Sequence, residues 1–343
     1  MKRKLGRPVK IVLEILLLAA LVVVFVIVLH PNELRGYLMR VTLNSILGLM
    51  VFQFAIHIVG ATQWVVLLRQ ARIRVSPWYV FWSRLSGCAI TSLTPSAYFG
   101  GEPVRAAMLK NDTMSYRNVF ATIAVDKYIE LFTKFPVALL GFASLIMLAR
   151  PSTVLLALSS VFVVFFFALF FFIMVKLFQG GTFIMSMSKL VLRPLTRWRP
   201  RVAVKVIRVV RDFTGSVAHI IKSKRAFYLA MSLGILLSVV ELFQYAYVLS
   251  VLGIYSVPDA AIIFFGHVFL GIFSVIPGNV GSMEGVFLFV FSMLGLGSDR
   301  SLVFSVIMRI GQLVMVALGV GNILVSRISR RFLKGADRIR TGA

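Results

Sequence analysis

The sequence predicts an all-α polytopic membrane protein, with about six transmembrane helices and two broken re-entrant hairpins arranged as an inverted repeat. Three observations predict this class: the composition, the long apolar runs, and two matched proline–glycine breaks. The chain is 59% hydrophobic over 343 residues, and its mean hydropathy is +0.93. Its apolar runs are long and continuous, whereas the strands of a membrane barrel alternate between apolar and polar residues.

Six apolar runs are long enough to cross a bilayer as helices, by the rule of roughly 20 residues per span. The first follows a basic N-terminus, and we interpret it as a retained span because no small-residue cleavage site follows it. The runs lie at 11–29, 42–67, 119–148, 153–176, 227–252 and 301–325.

The charge distribution predicts the orientation. Lys and Arg number 37 against 12 Asp and Glu, and they concentrate in loops and tails, as the positive-inside rule requires. Residues 176–225 carry 12 Lys or Arg and a single acid, Asp212. We therefore place this region and both termini in the cytoplasm of a plasma (inner) membrane protein. This distribution explains the net charge of +25 without a nucleic-acid partner.

Two further apolar segments, 77–110 and 259–296, are interrupted in the middle. Each half is short for a span, so we interpret both as re-entrant, the first from the cytoplasm and the second from outside. Two full crossings per segment would preserve the same sidedness. The prediction is one transmembrane domain over 1–325, with half-repeats at about 11–150 and 153–325. A basic amphipathic interfacial segment lies at 180–225, and a basic cytoplasmic tail at 326–343.

The two breaks have matching spacing. Pro95 precedes Glu102 by seven residues, and Pro277 precedes Glu284 by seven. Glycines lie between proline and glutamate in both halves, which is typical of discontinuous helices that meet at a transport site. The alternative is that the glycines allow close packing and the prolines are ordinary kinks. The glycines are Gly100, Gly101, Gly278 and Gly281.

Charged side chains inside hydrocarbon are costly, so those in the predicted spans are candidate substrate-binding residues. We expect Arg105 and Arg309 to form a site for an anionic group of the substrate, and we expect Asp126 or Glu130 to pair with one of them. Helix capping is the alternative role for glutamates in a first turn. The candidates are Glu102, Arg105, Asp126, Lys127, Glu130, Glu241, Glu284 and Arg309.

The motifs of several other functions are absent from the sequence. It contains no HExxH, CxxC, GxSxG or P-loop pattern, so we expect no catalytic residue, metal or cofactor and interpret the chain as a non-enzyme. Without an ATPase motif, it is expected to be a secondary transporter or a facilitator. Glu102, Glu284 and Asp126 are each open as carriers of a coupling proton.

The stretches GGEPVRAAML, DKYIELF and PGNVGSMEG, followed by Arg309, resemble the lysylphosphatidylglycerol synthase transmembrane-domain family. That family includes the flippase half of the bacterial multiple peptide resistance factor. The resemblance implies movement of a lipid between leaflets. We find no aminoacyl-transferase domain in the sequence, so we do not expect lipid aminoacylation. Lys127 stands where the family more often has arginine, which keeps the charge but not bidentate phosphate binding.

The sequence therefore predicts a transporter that moves a phospholipid, or a lipid-linked anionic head group, through a groove at the repeat interface. Two alternatives stay open. One is translocation of a polyprenyl-phosphate or glycolipid carrier, and the other is a non-transporting partner of a glycosyltransferase or lipid-modifying enzyme. The expected partners are membrane lipids, and beyond them a second copy of the chain or such an enzyme.

Overall fold

The computed structural model describes residues 36–37, 39–94, 100–109, 116–148, 153–178, 200–271 and 276–341. Throughout these ranges the regular secondary structure is helical, which agrees with the predicted all-α class. The predicted first span at 11–29, Pro95, and residues 180–199 of the amphipathic segment lie outside the described residues.

The helices of the first half follow the predicted runs. Helix α1 (Leu43–Gln70) is followed by α2 (Pro77–Leu93), the short α3 (Glu102–Leu109) and α4 (Tyr116–Leu148). Then come α5 (Thr153–Phe178) and the basic α6 (Pro200–Lys222).

The second half repeats the order long, broken, long. Its helices are α7 (Lys224–Val251), α8 (Val257–Gly271), α9 (Ser282–Met293) and α10 (Ser298–Thr341), with a 3₁₀ turn at Pro277–Asn279 between α8 and α9. The packing is reciprocal. Helix α1 packs against α7, α2 packs against α10, and α8 packs against α4. Each broken segment therefore lies against the long helix that closes the opposite half.

Four described helices are long and apolar enough to cross a membrane: α1, α4, α7 and α10. The surface is correspondingly apolar. Helix α5, which covers the predicted span 153–176, exposes Val154, Leu158, Val161 and Phe165, as expected where lipid rather than water is the solvent. The multi-pass membrane class is thus supported by length and composition together.

Both predicted breaks are present. Helix α2 ends at Leu93 and α3 begins at Glu102, while α8 ends at Gly271 and α9 begins at Ser282. In the second break Gly278 has φ 62° and Gly281 has φ 82°. These left-handed conformations are accessible to glycine without the steric cost that a Cβ brings, so the Pro–Gly sequence specifies the end of one helix and the start of the next.

Helix α6 contains the predicted apolar face of the basic segment. Val217, Ile220 and Ile221 are buried and pack with residues of α1, α4 and α7. The face that was predicted to lie on the inner leaflet is thus at least partly covered by the helical bundle. Helix α10 extends past the predicted end of its span, at 325, through the basic tail to Thr341.

Candidate functional site

A cavity of about 320 Å³ lies between the two halves. Residues of both breaks and of the surrounding long helices line it. Its wall is unusually rich in charge for the interior of a membrane protein. The charged lining residues are Arg84, Glu102, Arg105, Lys127, Glu130, Lys134, Glu241, Glu284 and Arg309.

The first ion-pair cluster centres on Asp126 in α4, which is fully buried. Its Oδ2 accepts hydrogen bonds from Arg84 Nη1 at 3.0 Å and from Arg105 Nη2 at 2.7 Å. Its Oδ1 accepts a third from Gln63 Nε2 at 2.9 Å. One carboxylate thus joins α1, α2, α3 and α4, and its desolvation is offset by three donors, two of them charged.

Arg84 also reaches one turn further along α4. Its Nη2 lies 3.1 Å from Glu130 Oε2, and Lys127 Nζ lies 3.4 Å from the other Glu130 oxygen. Asp126 and Glu130 share a helix face at the i,i+4 spacing, which is why a single guanidinium from α2 bridges both.

Two glycines leave space for these arginine side chains, and an aromatic ring contacts one of them. A Cβ on Gly60 would lie 2.6 Å from the Arg84 guanidinium, and one on Gly87 would lie 2.4 Å from Arg105 Cγ. The Arg105 guanidinium stacks 4.0 Å from the centre of the Trp64 ring. These contacts fix both side chains in place and add cation–π attraction for Arg105.

The second cluster ties the Pro–Gly break of the second half to α10. Arg309 Nε lies 2.7 Å from Glu284 Oε1, and Nη2 lies 3.1 Å from Oε2. The same guanidinium donates to the backbone carbonyls of Gly278 and Asn279. Glu284 Oε2 also accepts from the Gly281 N–H at 2.7 Å. Arg309 therefore satisfies carbonyls that the interrupted helix leaves without intrahelical partners.

A third pair links the long helices of the two halves. Lys134 Nζ of α4 lies 2.6 Å and 2.9 Å from the two carboxylate oxygens of Glu241 in α7. Gln312 of α10 contacts Ser92 near the end of α2, at 3.4 Å. Both contacts cross the cavity wall from one half to the other.

The structure brings the predicted charged residues together. Seven of the eight candidates line the cavity, and the eighth, Asp126, lies behind its wall on Arg84 and Arg105. The expected pairing of Asp126 with Arg105 is present. Of the break residues, Gly101 and Gly278 line the cavity.

Arg84 and Lys134 were not among the predicted site residues. Arg84 carried a signal, since it is a lone charge within the apolar stretch YVFWSRLSGCAI, and such charges mark function by default. Lys134 shares a helix face with Glu130 at the i,i+4 spacing. Its contact with Glu241 joins residues that are 107 positions apart. Helical spacing relates residues within one helix only, so it does not predict such a pair.

His57 and His267 also line the cavity. The His267 ring packs against Tyr245 and Phe287. Among the described residues, no group of three His, Cys, Asp or Glu side chains is placed to hold a metal ion.

The fold and the site define a polytopic helical membrane protein with a charged cavity lined by helices from both halves of the chain. Residues 11–319 match the family described as the lysylphosphatidylglycerol synthase TM region, and the chain belongs to that family. Two similar proteins are UPF0104 membrane proteins. The one from Methanothermobacter thermautotrophicus is 26% identical over 91% of this chain and 93% of its own length. The one from Pyrococcus horikoshii is 24% identical over 79% and 83%. No solved structure matches the chain significantly.

Proposed function

We propose that this protein moves a phospholipid, or another lipid with an anionic head group, between membrane leaflets. The observation that supports the proposal best is the charged cavity of about 320 Å³ between the two halves. Its volume is at the lower end of the range for small-molecule sites, about 300–1,000 Å³. Such a space suits a polar head group, while acyl chains are more stable in the surrounding hydrocarbon.

The chemistry of the wall supports the same function. Guanidinium groups bind phosphate through parallel hydrogen bonds, and Arg84, Arg105 and Arg309 all reach the wall. Helices α3 and α9 begin at the breaks beside the cavity, and helix N-termini favour anions. The family's name connects it with a lipid, which agrees with a lipid substrate.

For the topology, we propose that each broken segment enters and leaves on one side and that the two halves have opposite orientations. Helices α2 and α9 have 17 and 12 residues, short of the roughly 20 residues of a span. The reciprocal packing of α2 on α10 and of α8 on α4 is the exchange that a two-fold axis in the membrane plane produces. The proposal includes cytoplasmic termini and a plasma-membrane location.

Transbilayer exchange in liposomes tests the function. Purified protein is reconstituted with fluorescent phosphatidylglycerol, phosphatidylethanolamine or a polyprenyl phosphate, and exchange is measured by reduction of the outer-leaflet probe. We expect wild type to exchange at least one anionic lipid, and Arg309→Ala and Glu284→Gln to slow that exchange about tenfold or more. Arg225→Ala is the matched control, because Arg225 is exposed at the start of α7.

The outcomes distinguish the alternatives. Preference for the polyprenyl phosphate would assign the protein to carrier translocation. Wild-type protein that exchanges none of the lipids would contradict the transport proposal. Exchange that persists when Arg309 and Glu284 are changed would contradict the assigned site, even though the protein transports.

A further inference from the structure

The carboxylates at the cavity differ in how well they are neutralised. Asp126 and Glu130 contact guanidinium groups, Glu241 contacts Lys134, and Glu284 contacts Arg309. Glu102 stands apart. It is 8% exposed, and its Oε2 is buried without a hydrogen-bond partner among the described residues. A buried carboxylate oxygen without a donor is costly when ionised and much less costly when it carries a proton.

The matched spacing of charged residues in the two halves also singles out Glu102. Glu284 precedes Arg309 by 25 positions, and Glu102 precedes Lys127 by 25. In the second half this register brings the two side chains into contact at 2.7 Å. In the first half Lys127 contacts Glu130, and no salt bridge of Glu102 is found among the described residues. Within the described part of the chain, Glu102 is therefore the counterpart of Glu284 without the salt bridge that neutralises Glu284.

The charges at the cavity are balanced when every acid is ionised. Five cationic side chains and four glutamates line the wall, and the buried Asp126 behind it is the fifth acid among the described residues at this site. A proton on Glu102 leaves a net charge of +1, with both histidines counted as neutral. That excess matches the single negative charge of a phosphodiester head group.

We propose that Glu102 binds a proton that moves together with an anionic lipid, so that the protein is a proton–lipid symporter. This inference rests on the proposed lipid transport. The proton binds at the Glu102 carboxylate from the side to which the cavity is open, and the lipid phosphate then enters a site with one positive charge in excess. On the opposite side the two leave together, because the loss of either one unbalances the charge. No covalent bond changes except the O–H bond of the carboxyl group.

Other titratable and charged groups face the same cavity and set the field at Glu102. Arg105 lies one turn away on its own helix, and the remaining groups come from seven other elements. They are His57 of α1; Arg84 and Cys88 of α2; Lys127, Glu130 and Lys134 of α4; Glu241 and Tyr245 of α7; His267 of α8; Glu284 of α9; and Arg309 of α10. Among the described residues, Glu130, Glu241 and Glu284 each contact a cationic side chain, and no such contact of Glu102 is found there, so Glu102 is the carboxylate available to bind the proton.

The first measurement is proton uptake on binding, which does not depend on transport. Short-chain phosphatidylglycerol is added to the detergent-solubilised protein in weakly buffered solution containing a pH-sensitive dye. At alkaline pH, where the carboxyl group is ionised before the lipid binds, we expect wild type to take up close to one proton per bound lipid and Glu102→Gln to take up none. Asp259→Asn, which neutralises an acid outside the cavity, should behave as wild type. Binding of the lipid without proton uptake by wild type would overturn the proposal.

The second measurement is the response of liposome exchange to a pH gradient. With one proton per lipid, one pH unit across the membrane should drive the leaflet ratio of phosphatidylglycerol toward tenfold enrichment on the alkaline side. A potassium-diffusion potential should have no effect, since the transported pair is neutral. Whatever rate Glu102→Gln retains should be independent of pH and should show no enrichment.

The outcomes separate this inference from the transport proposal. Wild type that exchanges lipid equally with and without the pH gradient would overturn proton coupling and leave transport intact. Enrichment driven by a sodium gradient instead would assign the Glu102 site to a metal cation. Wild type that exchanges no lipid at all would remove both proposals. Enrichment that survives in Glu102→Gln would place the proton on another group and overturn the assignment to Glu102.

Discussion

The two main ion-pair clusters use arginine for different purposes. In the first half, Arg84 and Arg105 converge on Asp126, so that one buried carboxylate connects four helices. In the second half, Arg309 pairs with a single carboxylate, Glu284, and also binds the carbonyls of the unwound break. The first cluster therefore joins regular helices, while the second stabilises irregular backbone. We infer that the first cluster contributes more to stability and the second more to transport.

The largest expected effect comes from removing the centre of the first cluster. Asp126→Ala leaves the guanidinium groups of Arg84 and Arg105 buried without their shared acceptor. Breaking a buried ion pair on one side typically costs about 3–5 kcal/mol. We expect a loss of this size in the free energy of unfolding, measured by denaturant titration in mild detergent.

Asp259→Asn is the control, and it should change stability by less than about 0.5 kcal/mol, as is usual for substitutions away from buried networks. A cost for Asp126→Ala below that of Arg309→Ala would reverse the division of roles between the clusters.

The second prediction concerns Arg309. Arg309→Lys keeps the charge but loses the fork that holds Glu284 and two carbonyls at once. We expect Arg309→Ala to lower the free energy of unfolding by about 2–3 kcal/mol, because it removes the guanidinium donors of one carboxylate and two backbone carbonyls. Arg309→Lys should recover part of this stability and little of the exchange activity in liposomes. Recovery of both by lysine would mean that charge alone is required.

The helices and breaks were predictable because the bilayer restricts both the length of a span and the hydrogen bonding of its backbone. Span length follows from membrane thickness, and the Pro–Gly pattern marks where backbone hydrogen bonding must stop. Five of the six predicted runs coincide with described helices, and both broken segments divide where the sequence indicated. Because the spacing from Pro95 to Glu102 equals that from Pro277 to Glu284, both glutamates were predicted as site residues. Both line the cavity.

The partners of the charges were much harder to predict. Arg84 meets Asp126 across 42 positions, and Lys134 meets Glu241 across 107. Such pairs depend on how helices from distant parts of the chain cross, and the local i,i+4 rule does not contain that information. The sequence predicted that Asp126 or Glu130 would pair with Arg105 or Arg309. Asp126 does pair with Arg105, but the contact of Arg309 with Glu284 was not predicted.

The third prediction compares Gly101, which lies in the first break, with Gly285, which lies in helix α9 just after the second break. A Cβ on Gly101 would lie 1.9 Å from the backbone oxygen of Gly87, whereas one on Gly285 would meet nothing within 4 Å. Overpacking of this kind costs about 1–3 kcal/mol, so we expect Gly101→Ala to destabilise the protein by about 2 kcal/mol. Gly285→Ala, in helix α9, should be neutral or stabilising by up to about 1 kcal/mol. Equal effects of the two substitutions would show that α3 does not pack on α2 at this distance.

The smallest expected effect belongs to the third pair, Lys134 with Glu241, which belongs to neither arginine cluster. Both side chains keep 15% of their surface exposed, so water reduces their attraction and also reduces the cost of losing it. A double-mutant cycle with Lys134→Met and Glu241→Gln should give a coupling energy of about 1 kcal/mol. The same cycle with Arg309→Met and Glu284→Gln should give more, since that guanidinium donates from two separate nitrogens, one to each carboxylate oxygen. A larger coupling for Lys134 and Glu241 would mean that the long-helix contact, rather than the break, holds the two halves together at the cavity.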